Sequence, residues 1–351
     1  MNNTDWTAFL NSQGAHWDHG VVTHFGDSTN DAPTSNPNGD THILCDLSRN
    51  GLISVTGADA ATFLQNQFCN DVRNVTPSLS QLNAYCTPKG RILAFFRLFQ
   101  RDDAYYLRLP REILEPTLKR LRMFVLMSKV TLEDASDTLV RIGFSGPKAG
   151  QLLGEYVNEV PATTDAVSHD GLSIICLQPG TRFEIIGDAA AVSTLWTKLS
   201  DQATPVSDRH WELQDIQAGI PEVVTETQEA FVPQMLNLQA INALSFKKGC
   251  YPGQEIVARM HYLGKLKRRM FLAHIADEVS AAAGDPLFAE DSTSGQGVGK
   301  VVRAQPNPDG GTDLLAVIEL SSAEQQALRL NNIDGPLLKL LELPYMLDEA
   351  Q

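Results

Sequence analysis

Apolar and polar positions alternate in short runs through the first two thirds of the chain, and this period predicts strands interleaved with a few amphipathic helices. Leu52-Ile53-Ser54-Val55 reads as a strand. Thr56 or Asp59 after it can cap a helix that carries Phe63 and Leu64 on one face. Leu82 to Thr87 and Arg91 to Phe99 are two further strand runs joined by Pro88-Lys89-Gly90, which is a hairpin signal. Tyr105 to Leu109 predicts another strand, followed by an amphipathic helix from Arg111 to about Met127. Strands are expected at Lys129 to Glu133, Leu139 to Phe144, around Ile174 and at Phe183 to Ile186, and a helix over Ala189 to Leu199. The alternation has no regular βαβ period, so an α+β class is favoured over a doubly wound sheet. After Met270 the texture changes to short strands at Phe271 to Ile275, Val298 to Arg303, Leu314 to Leu320 and Leu337 to Leu343, as in a small β-barrel.

Between these regions lie two segments of a different character. The run from Ser28 to Asp40 is polar and rich in Pro and Asn, and reads as a mobile loop behind a short N-terminal piece. His16, His19 and His24 precede it without a carboxylate or cysteine framework at ligand spacing, so no metal site is read there. From Ser245 to Met270 seven basic residues, Lys247, Lys248, Arg259, Lys265, Lys267, Arg268 and Arg269, stand against the single acid Glu255, a local charge of +6. A solvated linker is the plain explanation of such a run, and an anionic ligand the competing one.

Charge and composition narrow the function. The chain has 351 residues and a net charge of −14, which disfavours a general nucleic-acid or membrane-surface binder. Neither a G-x-G-x-x-G after a strand nor a P-loop is present. The five cysteines, Cys45, Cys69, Cys86, Cys176 and Cys250, have no C-x-x-C spacing and fit reduced thiols in the cytoplasm. Four of them lie in apolar runs. Cys250 instead lies between Gly249 and Gly253, beside Lys247 and Lys248, with Pro252 and Glu255 suited to the first turn of a helix, a setting that favours thiolate over thiol.

The run Lys248-Gly249-Cys250-Tyr251-Pro252-Gly253-Gln254-Glu255 closely resembles the K-G-C-Y-x-G-Q-E signature of the YgfZ-like folate-binding proteins, relatives of the aminomethyltransferase (T-protein) of the glycine cleavage system. The stretches from Leu52 to Gln65, Pro88 to Arg91, Ala218 to Pro221 and Phe231 to Leu238 resemble that family in the right order, so the likeness covers roughly residues 43 to 345. It implies a T-protein-like, multi-lobed α+β body around a central folate site, with a C-terminal β-barrel. On this reading 1–40 is an N-terminal extension, 41–265 the aminomethyltransferase-like region and 266–351 the barrel. The implied ligand is tetrahydrofolate or a derivative, with contacts at Trp211, Glu184, Lys248, Gln254 and Arg259. The implied role is accessory, linked to tRNA modification: support of iron–sulfur clusters in client enzymes, with Cys250 as the working thiol and no direct contact to nucleic acid or membrane.

One departure from the T-protein pattern bears on activity. Aminomethyltransferases carry an acidic pair just after the hairpin glycines, and here Ala94 and Phe95 stand in that place. Neither side chain can accept a proton, which counts against the alternative of a folate-dependent one-carbon transferase.

Overall fold

A computed structural model of the chain describes residues 4–27, 31, 40–277, 279–289, 297–324 and 327–347. The polar run from Ser28 to Asp40 lies outside them apart from Asp31 and Asp40. The chain divides into two compact units, 1–60 with 73–81 and 97–211, and 61–72 with 82–96 and 212–351.

The first unit is built on a six-stranded sheet in the order Val167–Asp170, Leu172–Gln178, Arg182–Gly187, Val140–Ser145, Ile43–Asp46, Thr204–Val206. Its neighbours are antiparallel except for the last pair, which is parallel. Alternation sorts the residues of each strand onto two faces. Leu44, Val140, Ile142, Phe144, Phe183 and Ile185 pack in a core with Trp6 and Leu10 of the Thr4–Ser12 helix and with Val192 and Trp196 of the Ala189–Leu199 helix. The other face presents Arg141, Gly143, Arg182, Glu184 and Ile186, of which Ile186 packs with Leu52 and Phe99. Asp188 caps the Ala189–Leu199 helix by accepting from the Ala191 N–H, and that helix has the predicted bounds.

The helix predicted from Arg111 to Met127 is shorter. A 3₁₀ turn at Arg111–Ile113 leads into the α-helix Leu114–Arg122, with Pro116 tolerated in its first turn. Leu126 takes φ 43°, a left-handed conformation that a continuing helix cannot accommodate. Met123, Phe124, Leu126 and Met127 are exposed, so further turns would gain no burial.

In the second unit the predicted hairpin is present. The strands Gln81–Cys86 and Ile92–Arg101, whose residues 82–86 and 92–96 belong here, are neighbours, with Thr87 N–H donating to Arg91 O and Gly90 N–H to Thr87 O. The C-terminal part closes into a six-stranded barrel in the order Arg268–Ile275, Thr312–Glu319, Gly299–Pro306, Pro286–Ala289, Leu328–Leu330, Leu337–Leu341. Two of these strands, Pro286–Ala289 and Leu328–Leu330, are too short to have stood out in the sequence.

Candidate functional site

Two groups of chemically active side chains emerge, one in each unit. In the first unit the polar face of the six-stranded sheet carries Glu184, whose side chain is fully buried. Strand alternation puts Glu184 on the same face as Arg182 and opposite Phe183 and Ile185. Its Oε2 forms an ion pair with Arg108 Nη2 at 3.2 Å, yet neither carboxylate oxygen has a hydrogen-bond partner among the described residues. Buried polar atoms are almost always hydrogen-bonded, so two open carboxylate oxygens ask for a donor from outside the chain.

Gly143 is the direct cross-strand neighbour of Glu184. A Cβ at Gly143 would lie 2.5 Å from the Trp211 ring, so the missing side chain is what allows the indole to press against the strand beside Glu184. Trp211 is 3% exposed, in a cluster with Ile43, Cys45, Leu47 and Val206. The Arg182 guanidinium lies 4.0 Å from the centroid of that ring and donates to Trp211 O at 2.8 Å. Arg141 is buried on the same face and donates to Leu139 O at 2.6 Å and Asn50 O at 2.8 Å. Burial pushes its pKa down to about 10. Arg108 is thus the cation in contact with Glu184, Arg141 and Arg182 lie on the same sheet face, and the carboxylate oxygens can accept paired N–H donors.

A buried carboxylate with both oxygens open fits a ligand that offers adjacent N–H donors, as the pterin of the folate that the resemblance implies does.

The second unit holds the other group. Cys250 is exposed, whereas Cys45, Cys69, Cys86 and Cys176 are buried. Burial pushes the Cys45 thiol up and Cys176 to about 11, and the hydrogen bond with Cys69, together with burial, does the same to Cys86. At Cys69 burial acts upward too, but is outweighed by hydrogen bonds from Cys86 and the Ala84 N–H and by the nearby Lys248 ammonium, so its pKa is lowered. The helix after Cys250 runs from Gln254 to Tyr262, later than Pro252 suggested, because Gly253 at its start takes φ 86°. A Cβ there would lie 2.4 Å from Thr87 O, so the hairpin turn seats on this helix only where glycine stands. Cys250 thus lies outside the first helical turn, beyond the reach of the helix dipole.

Lys248 is turned inward onto backbone carbonyls. It is 5% exposed, and its ammonium donates to Gln65 O at 2.6 Å, Asn70 O at 3.2 Å and Phe68 O, at and just beyond the C-terminal end of the Ala60–Gln67 helix. Gln254 is half-buried at the start of the Gln254–Tyr262 helix, and Arg259 is exposed in its last turn. A Lys248→Met change leaves three carbonyls without their donor and is expected to destabilise the protein by about 2 to 4 kcal/mol. Thermal unfolding checks this: Lys247→Met, at the exposed neighbour, is expected to stay within about 0.5 kcal/mol of the native chain. Equal melting of the two variants would remove the capping role.

The sequence singled out Glu184 and Trp211, and the structure brings them together. It could not supply Arg108, Arg141 or Arg182, although charged residues inside otherwise apolar strands were a usable signal. Among the described residues no group of three His, Cys, Asp or Glu side chains is arranged to hold a metal ion. The His16 and His24 rings stack at 4.3 Å instead. No helix among the described residues is long and apolar enough to cross a membrane.

Comparison with known proteins gives a consistent picture. The family described as GCVT N-terminal domain matches residues 40–174. The tRNA-modifying protein YgfZ of Colwellia psychrerythraea (strain 34H) is 35% identical over 309 residues, which cover 87% of this chain and 93% of that protein. The protein of the same name from Yersinia enterocolitica is 31% identical over 300 residues, 85% of this chain and 91% of the relative. Among solved structures, aminomethyltransferase T of the glycine cleavage system from Bartonella henselae aligns with a TM-score of 0.71 at 15% identity, over 97% of this chain and 96% of that one. That likeness establishes a T-protein-like fold.

Proposed function

This chain belongs to the YgfZ family, and from that premise we propose that it is a tetrahydrofolate-binding accessory protein that supports iron–sulfur client enzymes, among them enzymes of tRNA modification, with Cys250 as its working thiol. The observation that carries the folate reading is the Glu184 carboxylate, fully buried beside Trp211 and facing Arg108, with both oxygens open to a donor. In this reading Glu184 accepts the N–H groups of the pterin, Arg108 holds the carboxylate in place by its ion pair, and Trp211 supplies the flat apolar neighbour. Folate held in this way orders the protein for its role, and the chain's own groups perform no transfer on it. Ala94 and Phe95 support that restriction, since both are buried and neither can move a proton.

Exposure supports the role of Cys250. A thiol must be reached by a partner before it can ligate iron, and Cys250 is the exposed one of the five. The client enzymes are those that carry or acquire a cluster in the reducing cytoplasm.

Adding tetrahydrofolate is expected to quench indole emission. Trp211→Phe, which keeps the core filled, is expected to remove most of that quench and to weaken binding by about 1 kcal/mol for a lost aromatic contact. The titration is read by tryptophan fluorescence. A quench of undiminished size in the folded variant would take Trp211 out of the site.

A further inference from the structure

We propose that the surface formed by the Gln254–Tyr262 helix, the segment after it and the adjoining hairpin turn binds single-stranded nucleic acid, with lysines on its phosphates and a base stacked on Tyr262. Lys89, Lys247, Lys265 and Lys267 are exposed, and none has an ion-pair partner among the described residues. Some arginines are matched by acids, as in Arg101 with Asp102, Arg111 with Asp137 and, next to Lys267 itself, Arg268 with Glu319. Lys89 joins the patch because its hairpin turn packs on the start of the helix: a Cβ at Gly90 would lie 3.1 Å from Ile256 Cβ.

Aromatic rings stand among these cations. Phe246 and His261 are stacked with centroids 3.7 Å apart and planes 11° from parallel. Tyr262 meets His261 edge-on at 4.7 Å and is itself 64% exposed. Unpaired lysines around an exposed, braced ring are the two elements of a strand-tracking surface: charge follows the backbone, and the ring takes an unstacked base. A duplex keeps its bases stacked and would leave Tyr262 unused. An acidic protein would use the lysines but would not require the ring.

The net charge of −14 does not forbid this. At physiological ionic strength the Debye length is about 8 Å, so acids elsewhere on the chain are screened at the patch. On the helix itself the opposing acid is Glu255. The inference goes beyond the proposed function and needs neither folate nor the thiol.

The test is fluorescence anisotropy with a fluorescein-labelled 12-nucleotide RNA of mixed sequence, added to the full chain at several salt concentrations, with polyglutamate of similar charge as competitor. Saturable binding that weakens as salt rises is expected. Lys265→Glu/Lys267→Glu should reduce affinity at least tenfold and Tyr262→Ala roughly fivefold or more, with circular dichroism showing both variants folded. Cys250→Ser should bind RNA as the native chain does, which separates this surface from the thiol reading. Absence of binding at low salt would overturn the proposal. So would equal competition by polyglutamate with no effect of Tyr262→Ala, which would mark a surface for acidic proteins.

Discussion

Cys250→Ser is expected to leave the melting temperature and the tetrahydrofolate affinity close to those of the native chain while abolishing support of iron–sulfur enzymes in cells that lack the native gene. The fold does not depend on this sulfur, because it is exposed and its replacement by oxygen opens no cavity, so the stability cost should be well under about 1 kcal/mol. The function does depend on it, because serine has neither the acidity nor the softness to ligate iron or exchange with another thiol. Serine at a buried cysteine should do the reverse. At Cys176, inside the first unit's core, it places a hydroxyl among apolar neighbours and is expected to lower stability without removing the working group. Iron–sulfur enzyme activity in the complemented deletion strain, with melting curves of the purified variants, checks both. Full complementation by Cys250→Ser would remove the thiol from the mechanism.

The second large effect is expected at Glu184. Glu184→Gln keeps the shape of the side chain but replaces an acceptor-only carboxylate by an amide that turns N–H donors toward the ligand's own donors. Losing one or two charge-assisted hydrogen bonds, each about 1.5 to 3 kcal/mol, corresponds to a loss of roughly tenfold to several hundredfold or more in tetrahydrofolate affinity. The same change weakens the contact with Arg108, so stability falls as well. Asp165→Asn provides the control. It breaks the 2.5 Å pair with Arg97 in the same unit, which should lower stability and leave folate affinity alone. Calorimetric titration of the two variants separates a binding role for Glu184 from a structural one.

Legibility in the sequence followed the range of the interactions involved. The strand at Phe183 to Ile186, the Ala189–Leu199 helix and most of the barrel were readable because each is set by local alternation or a local cap. The end of the helix after Arg122 was not, since an amphipathic pattern continues through Met127 while the backbone turns left-handed at Leu126. Glu184 was visible as an acid in an apolar strand, but its partner Arg108 lies on a distant strand, and no local pattern links them. The +6 segment overstated the free charge. Lys248 is turned inward onto backbone carbonyls and Arg268 is paired with Glu319, neither of which can be read from a run of basic residues. The net charge is silent on placement, because a sum over the whole chain hides where unpaired cations gather.

The central claim is that folate is held by the buried carboxylate of the first unit. The most direct test is a crystal structure of the protein grown with tetrahydrofolate. The account predicts the pterin against Trp211 with ring N–H groups about 3 Å from the Glu184 oxygens. Folate bound elsewhere, with the Glu184 carboxylate still open beside Arg108, would contradict it.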